Sequence, residues 1–182
     1  MVRLGLWWVA GCLLLSACIP AARGPQGGEA AVPVVKLEGS GQQAGLGQRA
    51  PEIAWEKKGK KIFLSDFRGK PVVLVFTATW CPACSKMTPE LVAFRKRIED
   101  EAMLYLVFSA EDPRAVASYL EEKKATELAA LADVDQSVSA AYGIAAVPTV
   151  VFIDADGILA EQKVGWQSAE TLLQVLEKIG GP

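Results

Sequence analysis

Val72-Val73-Leu74-Val75-Phe76-Thr77-Ala78-Thr79-Trp80-Cys81-Pro82-Ala83-Cys84 decides how this chain is read. An unbroken apolar run of strand length, 72–76, suits a central strand covered on both faces. Cys81 follows within five residues of Phe76, at the start of a helix expected over 82–100. A helix N-terminus offers unpaired N–H groups and partial positive charge, which stabilise a thiolate on its first cysteine. A thiolate there can attack a disulfide, and a second cysteine one turn in, as Cys84 is, can then resolve the mixed disulfide. Pro82 and Ala83 lie between the two sulfurs and set how well the thiolate is held, and so the redox poise.

Composition narrows the alternatives. The chain of 182 residues is 51% hydrophobic and 22% charged, with a formal charge of −2. That balance gives no reason to expect nucleic acid as a partner, and no basic cluster like a phosphate-binding stripe appears. There is no histidine, which excludes a Ser-His-Asp or Cys-His pair and any histidine-ligated metal. A structural zinc site would need all four cysteines, at 12, 18, 81 and 84, and the first two sit in a leader. No metal site is expected, and the only redox group expected is the Cys81–Cys84 pair, without a further cofactor.

Residues 1–17 read as a signal peptide, with Arg3 as the positive region and Leu4 to Leu15 as the apolar one. Residues 18–50 read as a tether. From Ile19 to Ala50 they are rich in Gly, Ala, Gln and Pro and lack a sustained apolar period. As a flexible coil this segment would reach about 30 Å; a short strand within Val32 to Leu37 is its one hint of structure. Residues 51–182 read as the folded domain.

Working outward from the CxxC, Ile53-Ala54-Trp55 and Ile62-Phe63-Leu64 flank a Lys/Gly turn at Lys57 to Lys61 and predict a hairpin. Met103 to Phe108 is a second buried strand. Asp112-Pro113 starts a helix as N-cap and first residue. Leu128 to Leu131 suggests a short strand and Ser137 to Tyr142 a short helix. Thr149 to Ile153 and Leu159 to Val164 form a hairpin around Asp154-Ala155-Asp156-Gly157. A last helix, 168–179, begins at Ser168. Strands alternating with helices imply an α/β sandwich with a mixed sheet.

Three stretches carry a resemblance: Phe67-Arg68-Gly69-Lys70-Pro71 with the strand after it; Ala78 to Cys84; and Tyr142-Gly143-Ile144-Ala145-Ala146-Val147-Pro148-Thr149 with Phe152-Ile153-Asp154 and Gly157. Together they resemble the thioredoxin fold, and more closely the membrane-tethered thiol–disulfide oxidoreductases of the TlpA/ResA type. The resemblance implies a thioredoxin-like fold with a central mixed β-sheet flanked by helices, an N-terminal hairpin extension and a central helical insertion. It implies a cis bond at Pro148, facing the CxxC, with Val147 offering backbone groups to a client. Trp80, Pro82, Ala83, Val147 and Pro148 are then the residues expected to meet that client. The alternatives are an ordinary trans proline at 148 and a purely structural Trp80.

Thioredoxins carry a buried Asp six residues before the first cysteine; here that place is Val75. ResA-like proteins use a Glu after the next strand, a place that Glu111 matches. It would take a proton from Cys84, unless it is only a solvated residue beside an N-cap. Leu15-Ser16-Ala17-Cys18 resembles the lipobox of bacterial lipoproteins and implies lipid on Cys18, with the domain held at a membrane outside the cytoplasm. The implied partners are protein disulfide clients, such as apocytochrome c or copper-site assembly proteins, and an integral membrane electron donor. The protein is expected to act as a monomer and as a disulfide reductase. The alternatives are a disulfide oxidase or isomerase, and a Cu(I)-binding assembly factor. Ala78 and Leu74 stand where peroxiredoxins have Thr and Pro, against a peroxidase.

Overall fold

A computed structural model describes residues 32–180. The signal peptide expected over 1–17 and the lipid site expected at Cys18 lie outside these residues. The strands are β1 Val35–Leu37, β2 Ile53–Lys57, β3 Lys60–Phe63, β4 Val72–Thr77, β5 Met103–Ser109, β6 Ala129–Asp133, β7 Thr149–Ile153 and β8 Leu159–Val164. The helices are α1 Pro82–Ile98, α2 Pro113–Glu122, α3 Ser137–Ala141 and α4 Ala169–Lys178. A five-stranded mixed sheet has the order β6-β5-β4-β7-β8, and a three-stranded antiparallel sheet has the order β1-β2-β3. This is the thioredoxin-like α/β architecture the sequence implies, with α2 as the helix inserted between β5 and β6.

All six residues of β4 are buried, so its unbroken apolar run is explained by cover on both faces. Alternation divides that run between two cores. Val73 and Val75 join Met87, Leu91 and Phe94 of α1 and Leu172 and Leu176 of α4. Val72, Leu74 and Phe76 join Trp55, Tyr105, Val138 and Tyr142 on the other face. Phe76, Phe94, Phe108 and Phe152 are fully buried, each worth about 1.5–3 kcal/mol relative to exposure. Pro89 lies inside α1, yet the helix continues to Ile98.

One boundary moves. Within the expected tether the short strand hinted at in Val32 to Leu37 forms as β1, and backbone hydrogen bonds continue to Ala50 through a mostly exposed stretch, so the folded unit begins well before Pro51. Val35 pairs with Trp55 and Leu37 with Ile53, turning the expected hairpin into a three-stranded sheet. Val35 and Ala50 are buried, and the Ala132 amide donates to the Pro33 carbonyl at 2.8 Å. The reason is long-range: β2 and β6 supply hydrogen-bonding partners that the Gly-rich composition of this segment does not reveal.

The strands β4, β5 and β6 run parallel. Their C-terminal ends, Thr77, Ser109 and Asp133, therefore lie at one end of the sheet. In open α/β sheets that is the end where sites form.

Candidate active site

β4 delivers the chain into a buried turn at Ala78, and the Cys81 amide donates to the Ala78 carbonyl at 3.3 Å. Cys81 has extended backbone and occupies the N-cap of α1, with Pro82 at the first helical position. Pro there forgoes an N–H that would have no intrahelical partner. The Cys81 sulfur takes the place of the usual capping oxygen: the Cys84 amide donates to Sγ at 3.2 Å. When Cys81 is a thiolate, the same N–H and the helix dipole favour the charge.

Cys81 and Cys84 are joined as a disulfide. In this oxidised state Cys81 is 5% exposed and Cys84 2%, so both residues are buried. The two cysteines and Ala78 form an apolar nest, with Ala83 and Val147 packed on it. Pro82 is exposed at the surface of the turn.

The Val147–Pro148 bond is cis, as the resemblance implies. The Cys81 sulfur sits 3.6 Å from the Val147 carbonyl oxygen. No S–H exists in the disulfide, so this is a contact rather than a hydrogen bond; it places the part-exposed Val147 beside the reacting sulfur, while Pro148 itself is buried. The loop is braced by Thr149 Oγ1, which donates to the Ala146 carbonyl at 2.7 Å, and by the Gly165 amide, which donates to the Pro148 carbonyl at 2.7 Å.

The second of these bonds brings in a residue the sequence reading missed. Trp166 follows Gly165, is 48% exposed, and directs its indole Nε1–H to the Lys86 carbonyl of α1 at 3.4 Å. Trp80 is 73% exposed and Val164 64%. Large apolar side chains left in water are more informative than buried ones. Trp80 does not pack down as a lid; it stands out beside the disulfide.

Glu111 is buried, which removes the solvated alternative. Its Oε1 accepts from the Thr79 amide at 3.0 Å and the Thr79 hydroxyl at 2.9 Å. The carboxylate thus ties the end of β5 to the loop that presents Cys81, two residues before it. Ala110, just upstream, has φ of 59°, and its amide donates to the Asp133 carbonyl at 2.9 Å. Val75, where thioredoxins have Asp, is wholly within the α1-facing core. Among the described residues, Glu111 is therefore the sequence-predicted carboxylate that the fold brings to the CxxC loop.

Two polar networks hold the surroundings. Asp133 is fully buried and accepts from the Val138 amide, the Ser139 amide and the Ser139 hydroxyl at 3.2, 2.8 and 2.6 Å, fixing the start of α3. From α2, the Tyr119 hydroxyl meets Thr88 at 3.0 Å and Ser85 at 3.3 Å, and Thr88 donates to the Cys84 carbonyl at 3.2 Å. Tyr119 thereby links the inserted helix to the first turns of α1. Among the described residues no group of three or more His, Cys, Asp or Glu is placed to hold a metal ion.

The AhpC/TSA family matches residues 46–162. The thiol-disulfide oxidoreductase ResA of Bacillus thuringiensis is 30% identical over 135 residues, covering 74% of this chain and 78% of ResA. The chain belongs to the AhpC/TSA family, among its ResA-like thiol–disulfide oxidoreductases. The thioredoxin domain of a thiol-disulfide oxidoreductase from Bacteroides vulgatus superposes with a TM-score of 0.63 at 25% identity, covering 75% of this chain and 98% of that one. The pneumococcal exposed lipoprotein thioredoxin Etrx1 of Streptococcus pneumoniae superposes at 0.60 with 28% identity, covering 66% and 93%.

Proposed function

We propose that this thiol–disulfide oxidoreductase works as a protein-disulfide reductase outside the cytoplasm, tethered by lipid on Cys18. The observation that carries the chemistry is the Cys81 sulfur at the N-cap of α1. It receives the Cys84 amide and lies against the Val147 carbonyl, beneath an exposed apolar rim. In the reduced protein the Cys81 thiolate attacks one sulfur of a client disulfide. A Cys81–client bond forms and the other client sulfur leaves as thiolate. Cys84 loses its proton and attacks the Cys81 sulfur; the client's second sulfur leaves, and the Cys81–Cys84 disulfide remains. Two electrons pass to the client, and an external dithiol must return them.

Glu111 is the carboxylate assigned to the Cys84 proton. Trp80, Pro82, Ala83, Val147 and Pro148 form the client-contact surface, and Trp166 extends it. The client lies across this surface with its backbone at Val147 and its apolar side chains on the indoles. The dithiol is the whole redox apparatus, with no other cofactor, and the protein works as a monomer. Its electrons come from an integral membrane thiol carrier, and apocytochrome c or copper-site assembly proteins are the client types. The leader, the Leu15-Ser16-Ala17-Cys18 sequence and the likeness to an exposed lipoprotein support the location. No helix among the described residues is long and apolar enough to cross a membrane.

Redox titration of the Cys81–Cys84 pair against dithiothreitol and glutathione tests the direction. A potential near that of thioredoxin, about −270 mV, is expected. A value near about −120 mV would make the protein a disulfide donor. If no reversible disulfide formed while reduced protein bound Cu(I) stoichiometrically, the assembly-factor alternative would replace the redox one.

A further inference from the structure

The hairpin tip Glu56-Lys57-Lys58-Gly59-Lys60-Lys61 concentrates four lysines in five positions of a chain whose formal charge is −2. By sequence this stretch reads as a turn and no basic cluster is expected; in the fold its four exposed lysines form one, which corrects that reading. Lys57 and Lys60 are direct cross-strand partners, and like charges directly opposite destabilise a hairpin. Lys58 sits at φ of 52°, left-handed, beside Gly59 at 73°, in a turn where Asn-Gly or Asp-Gly is the ordinary choice. Of the acidic neighbours, Glu38 pairs with Lys61 at 2.8 Å, Glu56 is the cross-strand partner of Lys61, and Glu121 lines the same groove as Lys57 and Lys58. No ion pair holds Lys57, Lys58 or Lys60 among the described residues. Neither the fold nor the disulfide chemistry uses these charges. Local rules broken without internal compensation point to a function.

Placement says which function. The Val35–Trp55 register, continued by two residues, sets Pro33 beside Lys57. Val32, Pro33, Lys57, Lys58, Leu120 and Leu128 line one open groove of about 730 Å³, with Glu121 also on its wall. The cationic tip thus lies where the N-terminal segment joins the folded unit. Leu128 immediately precedes β6, Pro33 accepts from Ala132 near the other end of that strand, and Lys61 shares a second groove with Pro113 at the start of α2, so the cluster runs along the β6 edge of the sheet. A lipid at Cys18 would draw the bilayer toward the lysine corner.

We infer that the 57–61 lysine hairpin is a docking surface for anionic phospholipid headgroups. Lysines near an anionic surface act additively and within a Debye length. A polybasic patch beside a lipid chain is a recognised second membrane signal. Its cellular meaning rests on the Cys18 anchor proposed above, but the patch itself does not.

The full chain, produced without export and so without lipid, is floated with two kinds of vesicle. One is phosphatidylcholine alone; the other is phosphatidylcholine with phosphatidylglycerol. Each is run at low and at high salt. The variants are K57Q/K58Q/K60Q/K61Q and the all-Arg K57R/K58R/K60R/K61R. The leader is the same in every arm, so its contribution cancels between variants. Wild type is expected to prefer the anionic vesicles by about tenfold or more at low salt, with the preference falling at high salt. The Gln variant loses that preference and the Arg variant keeps it, while both still reduce insulin at the wild-type rate. An anionic preference unchanged in the Gln variant overturns the inference. So does lysine-dependent binding to a duplex oligonucleotide with none to the vesicles. Radiolabelled palmitate incorporation at Cys18 in exported protein reports separately on the anchor.

Discussion

Replacing Glu111 separates two roles that the geometry gives to one carboxylate. Its Oε1 accepts both the amide and the hydroxyl of Thr79. A hydrogen bond to a charged acceptor contributes about 1.5–3 kcal/mol and a neutral one about 0.5–1.5 kcal/mol. Glu111→Gln keeps an acceptor oxygen in place and lowers both bonds to the neutral range. Thr79 is half-buried, so the lower ends apply, and the expected loss is about 1–2 kcal/mol. Glu111→Ala removes both bonds, for about 2–4 kcal/mol. Urea denaturation of the oxidised protein measures the difference. If both variants fell within about 0.5 kcal/mol of wild type, below the value of even one neutral bond, the Thr79 tie would be wrong. The chemical role has its own readout: the rate at which Cys84 resolves a preformed mixed disulfide, followed across pH. As proton acceptor, Glu111 leaves a slower step in the Gln variant with a displaced pH profile. As a brace alone, it leaves the midpoint of that profile where it was.

Three further outcomes are expected. Cys84→Ser stops the exchange at the mixed disulfide, so a client stays covalently attached through Cys81 on non-reducing gels; Cys81→Ser forms no such adduct. Asp133→Ala strips three acceptor contacts from the start of α3 and lowers stability by about 3–5 kcal/mol in chemical denaturation, on the scale of breaking a buried network. Burial pushes the Tyr105 hydroxyl up from its ordinary 10.0 to about 12. The native state therefore holds that proton after the unfolded chain has released it. The stability it confers is whole below pH 10 and lost toward pH 12, about 2–3 kcal/mol in all. Tyr105→Phe flattens that decline, and tyrosinate absorbance during alkaline titration follows it; burial also raises Tyr142.

The parts of the fold legible in the sequence are those with a local signature. The run at 72–76 announced a strand covered on both faces, Asp112-Pro113 announced the start of α2, and Ser168 caps α4 through the Thr171 amide. The CxxC and the Val147-Pro148-Thr149 loop were legible as motifs, and the fold brings them within contact. What the sequence hid depends on distant partners. The short strand hinted at within Val32 to Leu37 forms, but its three residues carry no register of their own, and β2 supplies it. Trp166 was invisible because a lone aromatic after a glycine carries no periodicity; its place follows from the Gly165 amide reaching the Pro148 carbonyl. The Thr79 partner of Glu111 lies 32 residues away in the chain. Knowing that β4 and β5 run parallel and adjacent would have brought their two exit loops together.

The pairing of β1 with β2 also changes how far this protein can travel. If the leash ran from Cys18 to residue 50, its 32 free residues, 19–50, would stretch to about 110 Å. With Val32 already inside the folded unit, a lipid on Cys18, as proposed, would leave thirteen residues, 19–31, between anchor and fold, and thirteen residues span at most about 45 Å. That limit is comparable to the diameter of the domain itself. Anchored as proposed, the molecule would patrol a thin shell over the bilayer, where its collisions would be with proteins also held at or emerging from that surface.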